Sequence, residues 1–419
     1  MAKKHLIIGC GSAGLAALEK IRHSNSEDAV KMVTNESYPP YSPTALPYLL
    51  MGRITEDNLW IHDENYFSKM ECTLLQGKEV VKVLPEKREV LYNDGTGDEY
   101  DSLLIASGSE PLAPSIPGLQ ETGFLVFRTL ADFHKLSLEL SDKKDIAILG
   151  AGLVGMELAA CLLEKGHLVQ IVEREPNILP RYFDAETSAI IGNTFEAKGA
   201  ILHLGRNVNE VRRESGRVSL TLSPQATVEA DLLIVVVGMK PRTHFLNETG
   251  VTINDGIVVD RKMRSSVEGI YAAGDVAESP DFFFGKPGLN PIIPSATSQG
   301  KIAGANMAGE DKEYEGWISR IVFNSLGHTA FSAGLVMPSQ GDYQTFSANS
   351  RGGFTRMIFQ GGRLVGVSLI DRDVDPGVLV YLIRNRVDVG QHREFLMEKP
   401  GDVSRWLMLQ AEKETRGVR

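Results

Sequence analysis

Residues 5–14 read His-Leu-Ile-Ile-Gly-Cys-Gly-Ser-Ala-Gly, and residues 145–155 read Asp-Ile-Ala-Ile-Leu-Gly-Ala-Gly-Leu-Val-Gly. Each is an apolar run of strand length that breaks into G-x-G-x-x-G and continues as a helix-like stretch. Three glycines at this spacing have separate tasks. The first makes the tight turn (Gly9, Gly150). The second lets the backbone approach a pyrophosphate (Gly11, Gly152), and the third lets helix and strand pack closely (Gly14, Gly155). The helix start offers unpaired N–H groups and a partial positive charge to an anion. Those positions are Ser12 and Ala13 in the first copy, Leu153 and Val154 in the second. One such loop points to a dinucleotide. Two in one chain point to hydride exchange between a nicotinamide and a second cofactor, most naturally a flavin.

Both copies extend into βαβ units. The first has a strand at 5–8, a helix at 13–23 and a strand at 29–34. The second has a strand at 145–149, a helix at 154–165 and a strand at 168–172. In such units an acidic residue about 20 positions on binds the ribose hydroxyls. Glu36 is the candidate in the first unit, with neighbouring Asn35 an alternative. Glu173 is the candidate in the second. A carboxylate there repels a 2′-phosphate, since two unit charges 4 Å apart interact by about 4 kcal/mol at an effective dielectric of 20. NAD(H) is therefore expected over NADP(H), with Arg174 and Arg181 the nearby cations that could soften the preference.

The bulk properties exclude other classes. The 419 residues are 42% hydrophobic and 23% charged, as in an ordinary globular protein of two to three domains. A net charge of −10 argues against a nucleic-acid surface. The longest apolar stretches, such as 232–237, are too short for a membrane span, so no membrane insertion is expected. The first strand begins near residue 5, leaving no room for a signal peptide. Three cysteines (Cys10, Cys72, Cys161) without a CxxC fit a reducing cytoplasm and give no metal framework.

Four further motifs carry a resemblance to the FAD-dependent pyridine nucleotide-disulfide oxidoreductases, over about residues 5–310. Residues 100–109, Tyr-Asp-Ser-Leu-Leu-Ile-Ala-Ser-Gly-Ser, resemble the strand-turn closing the first FAD half-domain, which implies FAD contacts at Ala106, Ser107 and Gly108. Ala230-Asp231 through Gly238-Met239-Lys240-Pro241 resembles the return from the NAD domain and groups Gly238 with the NAD site. Ile270-Tyr271-Ala272-Ala273-Gly274-Asp275 resembles the second FAD motif, in which Asp275, after Gly274, bonds the ribityl or pyrophosphate region. Residues 294–300, Pro-Ser-Ala-Thr-Ser-Gln-Gly, resemble the helix start beneath the flavin. Free N–H groups around Ser295 and Ala296 are then expected at the flavin pyrimidine edge. A helix N-terminus there stabilises negative charge by roughly 0.3–1 kcal/mol. The resemblance also implies that Glu157 lies near the nicotinamide, against the bland reading of a first-turn glutamate favoured by the helix dipole.

The family's redox cysteines have no counterpart here. Peroxidase-like members have one in a segment resembling residues 41–50, Tyr-Ser-Pro-Thr-Ala-Leu-Pro-Tyr-Leu-Leu, and Thr44 stands about where it would be. A threonine hydroxyl forms neither sulfenate nor disulfide. Hydride transfer without a redox thiol requires orientation of the two rings rather than acid–base groups. Electrons must then pass between flavin and an external carrier.

Beyond residue 310 the texture changes. Residues 354–360, Gly361-Gly362 and 363–370 read as a β-hairpin on a two-residue turn. Asp375-Pro376 reads as a helix N-cap and first residue, followed by Val378, Leu379, Leu382 and Ile383 at helical spacing. The expected architecture is α/β: two Rossmann-like dinucleotide-binding domains plus a C-terminal α+β interface domain. The FAD domain is expected at 1–117 and 238–310, the NAD domain at 118–237, and the interface domain at 311–419. Cysteine-free relatives of this length resemble the NAD-linking flavin subunits of aldehyde or phenylglyoxylate-type oxidoreductase complexes, which implies an iron–sulfur or other redox partner and a hetero-oligomer or homodimer. The alternatives are a stand-alone NADH:rubredoxin or ferredoxin reductase, an NADH oxidase, and a non-catalytic flavin-binding scaffold. Val403, Trp406 and Leu407 recur at helical spacing near the C-terminus, either as domain packing or as a docking face.

Overall fold

The first apolar run becomes the strand Lys4–Ile8, buried from His5 onward. The structure, a computed structural model, describes residues 2–25, 27–140, 142, 144–338, 340–350 and 353–416. Two compact units result. The first is Met1–Leu112, Arg128–Phe133 and Gly238–Ile318; the second is Ala113–Phe127, His134–Val237 and Ser319–Arg419. Residues 128–133, expected with the NAD domain, thus fall in the first unit. The expected interface segment contributes 311–318 to the first unit and 319–419 to the second.

The first unit is built on a five-stranded parallel sheet, ordered Ile270–Ala272, Ser102–Ile105, Lys4–Ile8, Ala29–Val33, Cys72–Leu75. Central parallel strands are covered on both faces, so they are apolar nearly throughout. The polar exception is satisfied: buried His5 has Nδ1 2.6 Å from Ser102 Oγ and Nε2 2.9 Å from Asp28 Oδ2. Burial holds the His5 imidazole below its usual pKa.

Two helices of this unit, Ser12–Ser24 and Ile293–Met307, meet at backbone distance. A Cβ at Gly300 would lie 2.2 Å from the Ala13 carbonyl oxygen, and one at Gly304 2.5 Å from that of Ala17. Glycine facing alanine is what permits this approach. The antiparallel pieces Val80–Leu84, Glu89–Tyr92 and Gly97–Glu99 complete a small separate sheet.

The second unit repeats the device with a four-stranded parallel sheet, ordered Ile201–Leu204, Leu168–Glu173, Asp145–Leu149, Leu232–Val235. It also holds a five-stranded antiparallel sheet ordered Arg320–Ser325, His328–Gly334, Arg363–Ile370, Gly353–Gln360, Gln344–Ser350. The expected hairpin is present: Gly361 and Gly362 have φ of 54° and 78°, both positive as a type I′ turn requires. Asp375 accepts from the Gly377 N–H at 2.8 Å and caps the helix Pro376–Arg384, which buries Leu379, Leu382 and Ile383. In the last helix Val403 is fully buried, and the Trp406 ring lies 4.7 Å from that of His392. These two residues pack within the unit. Among the described residues no helix is long and apolar enough to cross a membrane.

The helix contact yields a direct test. Gly300→Val should cost about 3 kcal/mol by overpacking, read as a lower urea midpoint. Gly192→Ala, whose Cβ would find its nearest neighbour at 3.6 Å inside the helix Ala185–Ala197, should be neutral or stabilising by up to about 1 kcal/mol.

Candidate functional site

The first glycine loop divides its work as its spacing implies. Gly9 has φ +106°, and a Cβ there would lie 2.1 Å from the Ala106 carbonyl oxygen; one at Gly14 would lie 2.1 Å from that of Gly9. At Gly11 a Cβ would meet nothing within 4 Å. It would enter the open space before the helix start, where a pyrophosphate would sit. Gly11 is the N-cap, and no side chain caps the helix. Leu15 N–H donates to the Gly11 carbonyl at 3.0 Å, so Ser12 and Ala13 lie ahead of the helical ladder with their N–H groups available to an anion.

Sequence-distant residues converge on this helix start. The Cβ position of Gly274 (φ +86°) lies 3.1 Å from Ala13 Cβ and 3.7 Å from Ala296 Cβ, which brings Asp275 alongside. Gly274 N–H donates to Gln299 Oε1 at 2.8 Å, and Gln299 Nε2 donates to Ser279 Oγ at 2.9 Å. Asp275 Oδ2 accepts from Ser109 Oγ at 2.8 Å and from Arg128 Nη2 at 3.0 Å. Ala106 N–H donates to the Ile8 carbonyl at 2.8 Å, Ser107 Oγ to the Arg242 carbonyl at 2.8 Å, and Arg242 N–H to the Gly108 carbonyl at 3.0 Å. Glu36 is half-buried beyond the strand Ala29–Val33, whereas Asn35 is exposed. Glu36 Oε2 accepts from Tyr41 Oη at 2.8 Å.

One expectation changes here. The helix beneath this site begins at Ile293, and Ala296 N–H donates to the Ile292 carbonyl at 3.0 Å as part of its first turn. Ser295 N–H donates to the same carbonyl at 3.1 Å. Neither N–H is free as the sequence implied, because the helix starts earlier than residues 294–300 indicate.

The second loop follows the same geometry. A Cβ at Gly150 would lie 2.6 Å from the Val236 carbonyl oxygen and one at Gly155 2.1 Å from that of Gly150, while Gly152 faces open space. Gly152 is the N-cap of the helix Leu153–Glu164, again with no side-chain cap, and Val154 is exposed on its first turn. Buried Glu173 closes on its own loop. Its Oε2 accepts from Ala151 N–H at 2.8 Å and its Oε1 from Glu175 N–H at 2.9 Å. Gly238 follows Val237, whose Cα lies 3.2 Å from the Cβ position of Gly150. It belongs to the first unit, where its carbonyl accepts from Leu112 N–H at 2.9 Å. The chain has crossed back by that point, and the turn at φ +135° belongs to the crossing. Glu157 is half-buried in the helix, and desolvation pushes its carboxyl up to about 7.

Burial pushes Cys10 and Cys72 up to about 12, and no disulfide joins any of the three cysteines. The Thr44 hydroxyl lies 2.8 Å from that of Ser42. Among the described residues no group of three His, Cys, Asp or Glu could hold a metal. Sequence reading missed Tyr41, Ser109, Arg128 and Gln299. No local signal marks Arg128, because its partner Asp275 is 147 positions away.

The open cradle at Gly11, its helix N-terminus and the half-buried carboxylate of Glu36 after the next strand fit the diphosphate and ribose of FAD. The cradle at Gly152 with Glu173 fits those of a nicotinamide dinucleotide. Residues 3–302 match the model of the pyridine nucleotide-disulphide oxidoreductase family. The chain belongs to that family. It is 34% identical over 412 residues, 97% of each chain, to the NADH-dependent phenylglyoxylate dehydrogenase subunit epsilon of Aromatoleum evansii. It is 31% identical to the NADH oxidase of Methanocaldococcus jannaschii, over 79% of this chain and 77% of that one. Among solved structures, the ferredoxin reductase for the CYP199A2 system of Rhodopseudomonas palustris superposes with a TM-score of 0.82. That match has 26% identity and covers 88% of this chain and 91% of that one.

Glu157 supplies a pH test. A carboxyl raised from 4.5 to about 7 in the fold favours the folded state fully below the lower value, and that contribution is lost as pH rises through about 7. Glu157→Gln should remove the loss. Between pH 5 and 8.5 the variant should gain on the parent by about 2 kcal/mol, read as diverging melting temperatures.

Proposed function

We propose that this chain is an FAD-dependent NAD(H):acceptor oxidoreductase, with FAD on the first glycine loop and NAD(H) on the second. The observation that carries this reading is the pair of cradles, one in each unit. Each combines a glycine open to solvent, an uncapped helix N-terminus and an oriented carboxylate. Bound FAD would supply the step from a two-electron hydride donor to one-electron acceptors. The chain's own task is binding and tuning. Ser12 and Ala13 face the diphosphate, Asp275 and Arg128 flank it, and Glu36 takes the ribose. Leu153 and Val154 face the second diphosphate, with Glu173 at its ribose and Glu157 toward the nicotinamide.

Thiol chemistry is not part of the reading. The two thiols raised to about 12 are protonated at neutral pH and therefore weak nucleophiles, and threonine stands at position 44. Electrons then leave for another protein, and an iron–sulfur or similar redox subunit is the acceptor this chemistry fits. Similarity over 97% of the length of an epsilon subunit supports a role as the flavoprotein subunit of a larger complex. Similarity to an NADH oxidase and to a ferredoxin reductase supports the second reading, a stand-alone enzyme. Purification from the native host separates the two: co-purifying iron–sulfur subunits support the complex, a lone flavoprotein the stand-alone enzyme.

Anaerobic NADH should bleach the flavin band at about 450 nm in the purified holoprotein; an unchanged spectrum rejects the oxidoreductase reading. Glu173→Ala should weaken NADH binding by about tenfold, roughly 1.4 kcal/mol, and NADPH binding by less. Equal losses would reject the assignment of NAD(H).

A further inference from the structure

Tyr41 is buried, 8% exposed, yet its hydroxyl makes two hydrogen bonds to groups remote from each other. It stands 2.8 Å from Glu36 Oε2 and 2.9 Å from the backbone nitrogen of Leu130. The second contact decides the direction of the first. Leu130 opens the helix Leu130–Glu139, so its N–H belongs to the first turn, which has no carbonyl partner within the helix. Thr129 and Asp132 satisfy the neighbouring donors: Thr129 N–H donates to Asp132 Oδ2 at 2.9 Å and Asp132 N–H to Thr129 Oγ1 at 3.2 Å. Leu130 is fully buried and needs its own acceptor. A backbone N–H can only donate, so the Tyr41 oxygen accepts from it. The phenolic proton is thereby turned to Glu36. Burial keeps the phenol protonated, which leaves that proton in place.

We infer that Tyr41 is the positioning residue for the flavin-binding carboxylate: it holds Glu36 in the rotamer that meets the adenosine ribose of FAD. The inference rests on the reading of Glu36 as the ribose ligand. A free glutamate samples several rotamers, and ordering it opposes binding. Glu36 is ordered before FAD arrives, with Oε2 held by Tyr41 and the remaining lone pairs free for the two ribose hydroxyls. The same hydroxyl ties the ribose end of the site to residues 128–133, where Arg128 also pairs with Asp275. Both carboxylates of the FAD site are thus braced by one six-residue segment.

The test is a double-mutant cycle on FAD affinity, measured by titrating apoprotein of the full chain with FAD and following flavin fluorescence. Tyr41→Phe should raise the dissociation constant about tenfold, the worth of a hydrogen bond to a charged group. Glu36→Ala should raise it at least as much. In the Glu36→Ala background, Tyr41→Phe should cost nothing further, because it has no carboxylate left to position. Independent, multiplying losses would overturn the inference, since Tyr41 would then act through the fold alone. The thermal stability of the apoproteins accounts for the orphaned Leu130 N–H, which Tyr41→Phe leaves in both backgrounds and which cancels around the cycle. If Glu36→Ala weakens FAD but Tyr41→Phe does not, the positioning role fails while the ribose reading stands. If Glu36→Ala leaves FAD affinity intact, the ribose reading itself fails, and the positioning role with it.

Discussion

The contact on which the first site depends is between two helices that meet without side chains between them. Ser12–Ser24 and Ile293–Met307 approach until Gly300 and Gly304 lie against the carbonyls of Ala13 and Ala17. A single methyl group at either glycine would separate them. Their approach sets Gly274 against Ala13 and so brings Asp275 beside a helix N-terminus that begins more than 260 positions earlier in the chain. Gln299, 1% exposed on the second helix, then fastens the Gly274 turn by its amide. A buried amide with both ends satisfied rigidifies without an unpaired polar group.

The two cradles share their glycines and differ in how their carboxylates are held. Glu173 bonds Ala151 and Glu175, residues of its own loop and its own turn. Glu36 bonds Tyr41, which in turn bonds Leu130, and Asp275 bonds Arg128, two residues before Leu130. The second carboxylate is therefore held within one βαβ unit, while the first is braced by a segment 89 positions from Tyr41 in the chain.

Much of this was legible in the residues because it is local. Three glycines at fixed spacing after an apolar run define a tight turn and close packing, and in both loops the first and third glycines abut backbone while the second faces open space. The hairpin at Gly361-Gly362 and the Asp375 cap were legible for the same reason: both are decided within a few residues. Expectations that depended on where an element begins fared worse. The Ile293–Met307 helix starts one residue before its motif, and the Ile292 carbonyl occupies the N–H groups of Ser295 and Ala296.

The sequence by itself determined the two glycine loops and their helix starts, because backbone sterics and helix-end electrostatics act over a handful of positions. Tertiary structure alone decided that residues 128–133 join the first unit, that Arg128 meets Asp275, and that Tyr41 stands between Glu36 and Leu130. Those contacts join residues up to 147 positions apart. Their partners are chosen by packing and by the need to satisfy buried donors, and neither requirement leaves a periodic trace in the chain.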